Sequence, residues 1–244
     1  MKKIYILKLV IFLIFKIGFS QNKITQMHGK RVLVVYGGWE GHKPKFFAEK
    51  ISKWLKSQNA TVFISDSTSI YTNSNLMKDL DLIIHHITDG KITKKQSSSL
   101  INTIRNGAGL VGCHGGLVDS FRENLNYQYM VGGQFVKHPG DQINYEVKIG
   151  PEKDPITNGI NDFSVKTEQY YMHIDPDIKI LATTEFSGKH DPWIEGAIMP
   201  VVWKKAFGRG RVFFNAIGHS TNDYEIPEVW EIIKRGVSWA AQKK

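Results

Sequence analysis

GLVGCHGG, residues 109–116, is the stretch whose reading decides the fold. Its first half is a short apolar run suited to a buried strand, and its second half is a Gly-rich turn carrying a Cys and a His. Gly112-Cys113-His114-Gly115-Gly116 has the spacing of the strand–turn–helix pattern Gly-x-Ser-x-Gly. In that pattern the middle residue sits on a strained turn at the carboxyl end of a strand. Here the middle residue is His114. On this register Cys113 ends the strand as a small buried hydrophobe, and the imidazole faces the crevice beyond the sheet. A His so placed suits acid–base work, metal ligation or hydrogen bonding to a polar substrate.

Working outward, RVLVVYG (31–37), ATVFIS (60–65) and DLIIHH (81–86) are further apolar runs of strand length. Between them Pro44 opens a helical pattern through Phe47, Ile51, Trp54 and Leu55. A short helix is expected over 73–79, and another within 96–106, ended by Asn106 and Gly107. Strands alternating with helices pair in parallel through right-handed crossovers and are covered on both faces. The pattern then changes. INYEVKI (143–149) alternates, IKILATT (178–184) reads as a strand, and 200–219 reads as a hairpin turning at Gly208–Gly210. PEVWEIIKRGVSWAAQ (227–242) closes the chain as an amphipathic helix. There is no internal repeat and no low-complexity linker. The expected fold is a single α/β domain over residues 21–244, a mostly parallel sheet flanked by helices with an antiparallel extension.

Residues 1–20 read as a signal peptide: Lys2 and Lys3 precede a run that is apolar over 4–15 except for Lys8, and Gly18, Phe19 and Ser20 precede a cleavage point. A membrane anchor is disfavoured, because Lys8 and Lys16 break the ~20 apolar residues a span needs. The expectation is a periplasmic or secreted protein without stable membrane insertion once the leader is removed. Four of the lysines behind the net charge of +9 lie in the leader. The remaining positive charge is scattered, which argues against nucleic acid as a partner. The single Cys excludes an intramolecular disulfide, so stability must come from the core.

In an open parallel sheet, ligands bind beyond the carboxyl ends of the strands. Polar residues fall at several of those ends: Trp39, Glu40 and His42 after the first strand, His85 and His86 on the third, His114 after the fourth, and His219 after the last. GGQFVKHPGD (132–141) adds His138, and TEQYYMHI (167–174) adds Glu168, Tyr170, Tyr171 and His173. Trp39 and Tyr170 offer aromatic faces for a sugar ring. Other polar and aromatic residues have structural readings. His85 and His86 alternate across a strand and read as core, His28 and His190 as surface, and Trp54, Trp230 and Trp239 as core-facing helix residues. Lys204, Lys205, Arg209 and Arg211 read as a solvated turn.

Taken together, GGWEGHKP, GLVGCHGG, GGQFVKHPG, TEQYY and PVVWKKAFGRGRVFFNAIGH resemble the ThuA-like (trehalose-utilisation) family over nearly all of residues 31–241. The resemblance implies a flavodoxin-like fold similar to class I glutamine amidotransferases, and a role in carbohydrate metabolism linked to sugars oxidised at carbon 3. It implies a pocket holding Trp39, His42, His138 and Tyr170 as substrate-binding residues and His114, Glu168 and His219 as catalytic ones. His114 takes the place of the amidotransferase nucleophile, with Cys113 one residue early, so glutamine hydrolysis is disfavoured.

The leading expectation is an exported enzyme acting on a keto-sugar or 3-keto-glycoside, as isomerase, lyase or hydrolase. His114 or Glu168 would be the base, with a second His or a metal polarising the carbonyl. No cofactor is demanded by a local motif, but His42, His114, His138 and His219, with Glu168, offer ligands suited to a divalent metal such as zinc. The alternatives are a non-catalytic sugar-binding protein of the same fold and a Cys113-dependent hydrolase.

Overall fold

The computed structural model describes residues 27–242; the expected leader at 1–20 lies outside them. The first half alternates as its sequence predicts: β1 (Arg31–Gly38), α1 (Pro44–Ser57), β2 (Thr61–Ser65), α2 (Ser74–Met77), β3 (Leu82–Thr88), α3 (Lys94–Arg105) and β4 (Gly109–Cys113). Pro44 opens α1, and Phe47, Ala48, Ile51 and Leu55 form its buried face. Thr93 and Gln96 close a reciprocal capping box at the start of α3, which satisfies two otherwise orphaned backbone donors. Every residue of β3 and β4 is buried, because helices cover both faces.

The second half holds α4 (Gly115–Val118), α5 (Leu125–Val131), β5 (Gly133–Lys137), β6 (Gln142–Ile149), β7 (Phe163–Glu168), β8 (Tyr171–Ile174), β9 (Lys179–Glu185), β10 (Ile198–Phe207), β11 (Gly210–Asn215) and α6 (Pro227–Ala240). Among the described residues the main sheet runs β2-β1-β3-β4-β11-β10-β9-β6-β7. Its first five strands are parallel, in the flavodoxin-like order. The β10–β11 hairpin turns the sheet antiparallel, as the 200–219 pattern predicts.

The structure departs from the sequence expectations in four places. The helix expected over 73–79 shortens to α2, preceded by a 3-10 turn at Thr68–Thr72. The short elements α4, α5, β5, β7 and β8 carry too few residues to show a period. Trp54, Trp230 and Trp239 pack against the core but remain partly open. Three of the four cations around the hairpin are tied down rather than solvated. Lys204 Nζ lies 2.6 Å from the buried Asp154, Lys205 Nζ lies 3.1 Å from Asp175, and Arg211 donates to the carbonyl of Trp239. β10 is an interior strand, so its long cationic side chains cross packed surface and need partners there.

One topological detail positions the site. β6 pairs with β9 only at Lys148 and Ile149, while its remaining length pairs with β7. The β6–β7 hairpin therefore separates from the sheet and leads back to the carboxyl edge of the parallel strands, where β7 ends at Glu168. A separate two-stranded sheet, β5 with β8, flanks it.

Candidate functional site

His114 occupies the turn between β4 and α4 at φ 53° and ψ −147°, a region that L-residues with a Cβ rarely adopt. Its backbone N–H donates to the carbonyl of Asn215 on the neighbouring strand at 2.7 Å. A Cβ on Gly116 would lie 2.2 Å from His86 Nδ1, so only glycine lets α4 sit this close to β3. The ring is fully buried. Nδ1 donates to the Ala216 carbonyl at 2.7 Å, and Nε2 faces Glu168 Oε2 at 3.0 Å. With the Nδ1 proton committed, Nε2 and a carboxylate oxygen can sit this close only with a proton or a cation between them.

The loop after β1 delivers His42. Gly38, at φ +77°, comes so close to β3 that a Cβ would lie 1.9 Å from the Thr88 carbonyl oxygen, and the Trp39 N–H donates to that oxygen at 2.9 Å. Thr88 also meets His42 Nδ1 through its hydroxyl at 2.7 Å. Burial, with His114 adding to it, pushes His42 down to about 2, so the ring is neutral and its other nitrogen can act as a ligand. Trp39 stands edge-on to His42, 4.6 Å between centroids, and is 53% exposed.

His219 follows β11. Its Nδ1 is 3.0 Å from Glu168 Oε1. Its Nε2 meets the Gln142 side chain at 3.2 Å. The carboxylate raises the His219 pKa. Burial by itself would raise Glu168, but His114 and His219 outweigh it and hold the carboxyl well below its ordinary value. Thr167 donates to Asp223 at 2.8 Å, and Asp223 caps the turn that begins at Ser220. That contact ties the segment carrying Glu168 to the one carrying His219. His42, His114, Glu168 and His219 each present a ligand atom, and all four atoms lie within 4.8 Å of one another.

His138 stands beside this group rather than in it: its Nε2 is 3.7 Å from Glu168 and its Nδ1 3.3 Å from Asp141, with a third of the side chain open to solvent. Of the five ligand candidates read from the sequence, His138 is the one left outside the group. Tyr170 is not a free platform. It is 3% exposed, because one face stacks on His114 at 4.1 Å and Phe135 packs at 4.5 Å. It holds the His114 ring instead. Cys113 is fully buried, and burial pushes its thiol above the ordinary value, so it lacks the thiolate a nucleophile needs. His85 and His86 are both core residues; His85 lies between Tyr71 and Ser120, while neither ring nitrogen of His86 has a hydrogen bond. His28, His173 and His190 are exposed. Sequence reasoning missed Thr88, Gln142, Thr167 and Asp223. Only Asp223 carried a local signal, in the Ser220-to-Asp223 capping pattern.

Fold and site together define a flavodoxin-like α/β protein with a polar cluster beyond the carboxyl ends of its parallel strands, at the end of the strand–turn–helix elbow. The chain belongs to the ThuA family, described as trehalose utilisation, whose model matches residues 31–240. Among curated proteins none matches the sequence. Solved structures similar to it include a ThuA-like protein from Bacteroides uniformis, with 19% identity, a TM-score of 0.71, and 86% of this chain and 91% of that one covered. A ThuA-like protein from Parabacteroides merdae has 17% identity and a TM-score of 0.72 over 88% of this chain and 90% of that one. A cytoplasmic protein from Salmonella typhimurium LT2 has 11% identity and a TM-score of 0.63 over 87% of this chain and all 100% of its own. At these identities the likeness establishes the fold. The family gives the protein a carbohydrate-related role.

Proposed function

We propose that this protein is an exported enzyme that acts on a keto-sugar or 3-keto-glycoside through the His/Glu cluster at the strand edge. The observation that carries the reading is the convergence of three imidazoles and one carboxylate from four distant segments within 4.8 Å. Bringing such groups together in a buried place costs desolvation, and a functional site is where that cost is offset.

The cluster fits a divalent metal such as zinc on three observations. His114 hydrogen-bonds a backbone carbonyl and His42 a threonine hydroxyl, each through Nδ1, the outer-shell pattern of metal-bound imidazoles. Glu168 turns one carboxylate oxygen to His114 Nε2 and the other to His219 Nδ1, each at 3.0 Å. Glu168 is held ionised by its neighbours. His42, His114, Glu168 and His219 would hold the ion. Such an ion would act as a Lewis acid on the substrate's carbonyl oxygen.

The chain's own groups supply the rest. A carboxylate held below its ordinary pKa is a weak base, which favours Glu168 as a ligand over Glu168 as the proton acceptor. His138, beside it with a third of its side chain exposed, would take the proton from the carbon next to a carbonyl. Trp39 gives the sugar an exposed aromatic face, and Tyr170 keeps the His114 ring in position. Return of the proton to the neighbouring carbon isomerises the sugar. Loss of the group two bonds away is an elimination, and addition of water to that product completes a net hydrolysis.

His114→Ala and Glu168→Ala should each lower turnover of a 3-keto-glucoside by about a thousandfold or more while circular dichroism stays native. Turnover like the unmodified protein's in both variants would sink the site. Protein purified without a His tag should carry close to one metal equivalent; less than about a tenth would count against the metal.

A further inference from the structure

A cleft of about 400 Å³ lies next to the cluster, between β5 and the 186–194 segment. Phe135, Lys137, His138 and Asp141 line it from one stretch of the chain, and His190 and Asp191 from another. His138 belongs to both places, since its Nε2 is 3.7 Å from Glu168. Volumes of this order suit a small organic ligand. Trp193 does not line the cleft itself but stands by the lining residue Lys137, whose Nζ is 5.8 Å from its ring centroid, and is 78% exposed. It is the most exposed large apolar side chain among the described residues. An indole left in water beside a polar cleft is a stacking face waiting for a ring.

We infer that this cleft binds the second, non-reacting unit of an uncharged glycoside, with Trp193 stacking on its ring. The inference rests on the proposed sugar chemistry of the neighbouring cluster and names the class of substrate that cluster takes. The charge arrangement decides against an anionic unit. The ammonium of Lys137 is taken up by Asp191 at 2.6 Å, and Asp191 is only 8% exposed. Asp141 adds a second carboxylate next to His138. A phosphate or uronate there would face carboxylates with no free lysine among the lining residues. Hydroxyl groups, by contrast, find donors and acceptors on imidazole, carboxylate and backbone at once.

The test is calorimetric titration of the purified protein with methyl α-glucoside, trehalose and trehalose 6-phosphate, repeated on Trp193→Ala. Trehalose should bind about tenfold more tightly than methyl α-glucoside, trehalose 6-phosphate more weakly than trehalose, and the tenfold difference should collapse in Trp193→Ala. Asp191→Asn should free Lys137 and raise the affinity for the phosphorylated sugar. Equal affinity for the two neutral sugars, a difference that survives in Trp193→Ala, preference for the phosphate, or no binding up to about 10 mM would each overturn the subsite. These titrations require no turnover. A tenfold preference with no reaction of a 3-keto-glucoside would remove the catalytic reading and keep the subsite; turnover without the preference would do the reverse.

Discussion

His114 is held at φ 53° and ψ −147° by its own N–H bond to Asn215, its ring bond to Ala216 and the Tyr170 stack. Strain of this kind costs roughly 1–3 kcal/mol and persists only where surrounding contacts impose it. The comparison of two side-chain deletions isolates it. Alanine keeps the Cβ in the strained region and glycine does not, so His114→Gly should be more stable than His114→Ala by roughly 1 kcal/mol in urea denaturation. Equal stabilities would mean the turn relaxes once the ring is gone. The local text GLVGCHGG was enough to put this residue at the turn, because strand end, turn and glycines all lie within eight residues, whereas a Cys113-dependent hydrolase stayed open until the structure showed that side chain fully buried. Tyr170 was misread as a sugar platform because exposure depends on what packs against a side chain, and His114 and Phe135 come from elsewhere in the chain.

The elbow works as a unit of β4, turn and α4. Gly116 admits His86 against the first turn of α4, where a methyl group would sit 2.2 Å from its Nδ1. Gly116→Ala should therefore cost about 1–3 kcal/mol and displace the elbow, lowering turnover through His114 although the residue touches no ligand. Thermal melts and rates measured together check this; a variant that melts and turns over normally would show that His86 has room to move. The parallel strands and long helices were readable because each is a continuous apolar run or a 3.6-residue stripe. The elements missed, β5, β7 and β8, are short and mixed in polarity, and they carry His138, Glu168 and Tyr170 at their ends.

Across the molecule, buried histidines give acid sensitivity. Burial lowers His85 and His86 from 6.5 to about 3 each, and burial followed by His114 lowers His42 to about 2. Below 6.5 the unfolded chain binds protons that these rings refuse in the folded state, so stability falls as pH drops from that value. Glu168 acts in the same direction, because its depressed carboxyl contributes stability that disappears as acid protonates it. His219, raised by Glu168, acts oppositely: its contribution is complete below 6.5 and fades as pH rises through the folded value. Three neutral imidazoles should dominate, at about 1.4 kcal/mol per pH unit each. The urea midpoint should thus fall steadily between about pH 6.5 and pH 4. His86→Leu, which removes a ring with no hydrogen bonds, should reduce that slope by about one proton; an unchanged slope would mean His86 is already charged when folded.

The sequence by itself determined the parallel half of the sheet, its order of alternation with helices, the hairpin at 200–219, and His114 as the residue at the turn. Each of these is written in neighbouring residues, through apolar period, capping and glycine spacing. Only the tertiary structure decided that β6 and β7 leave the sheet to carry Glu168 back to His114 and His219, that Tyr170 is a buried support, and that Lys204 and Lys205 are paired. Those outcomes depend on which distant surfaces meet, and on the need of each buried charge for a partner that local sequence does not name.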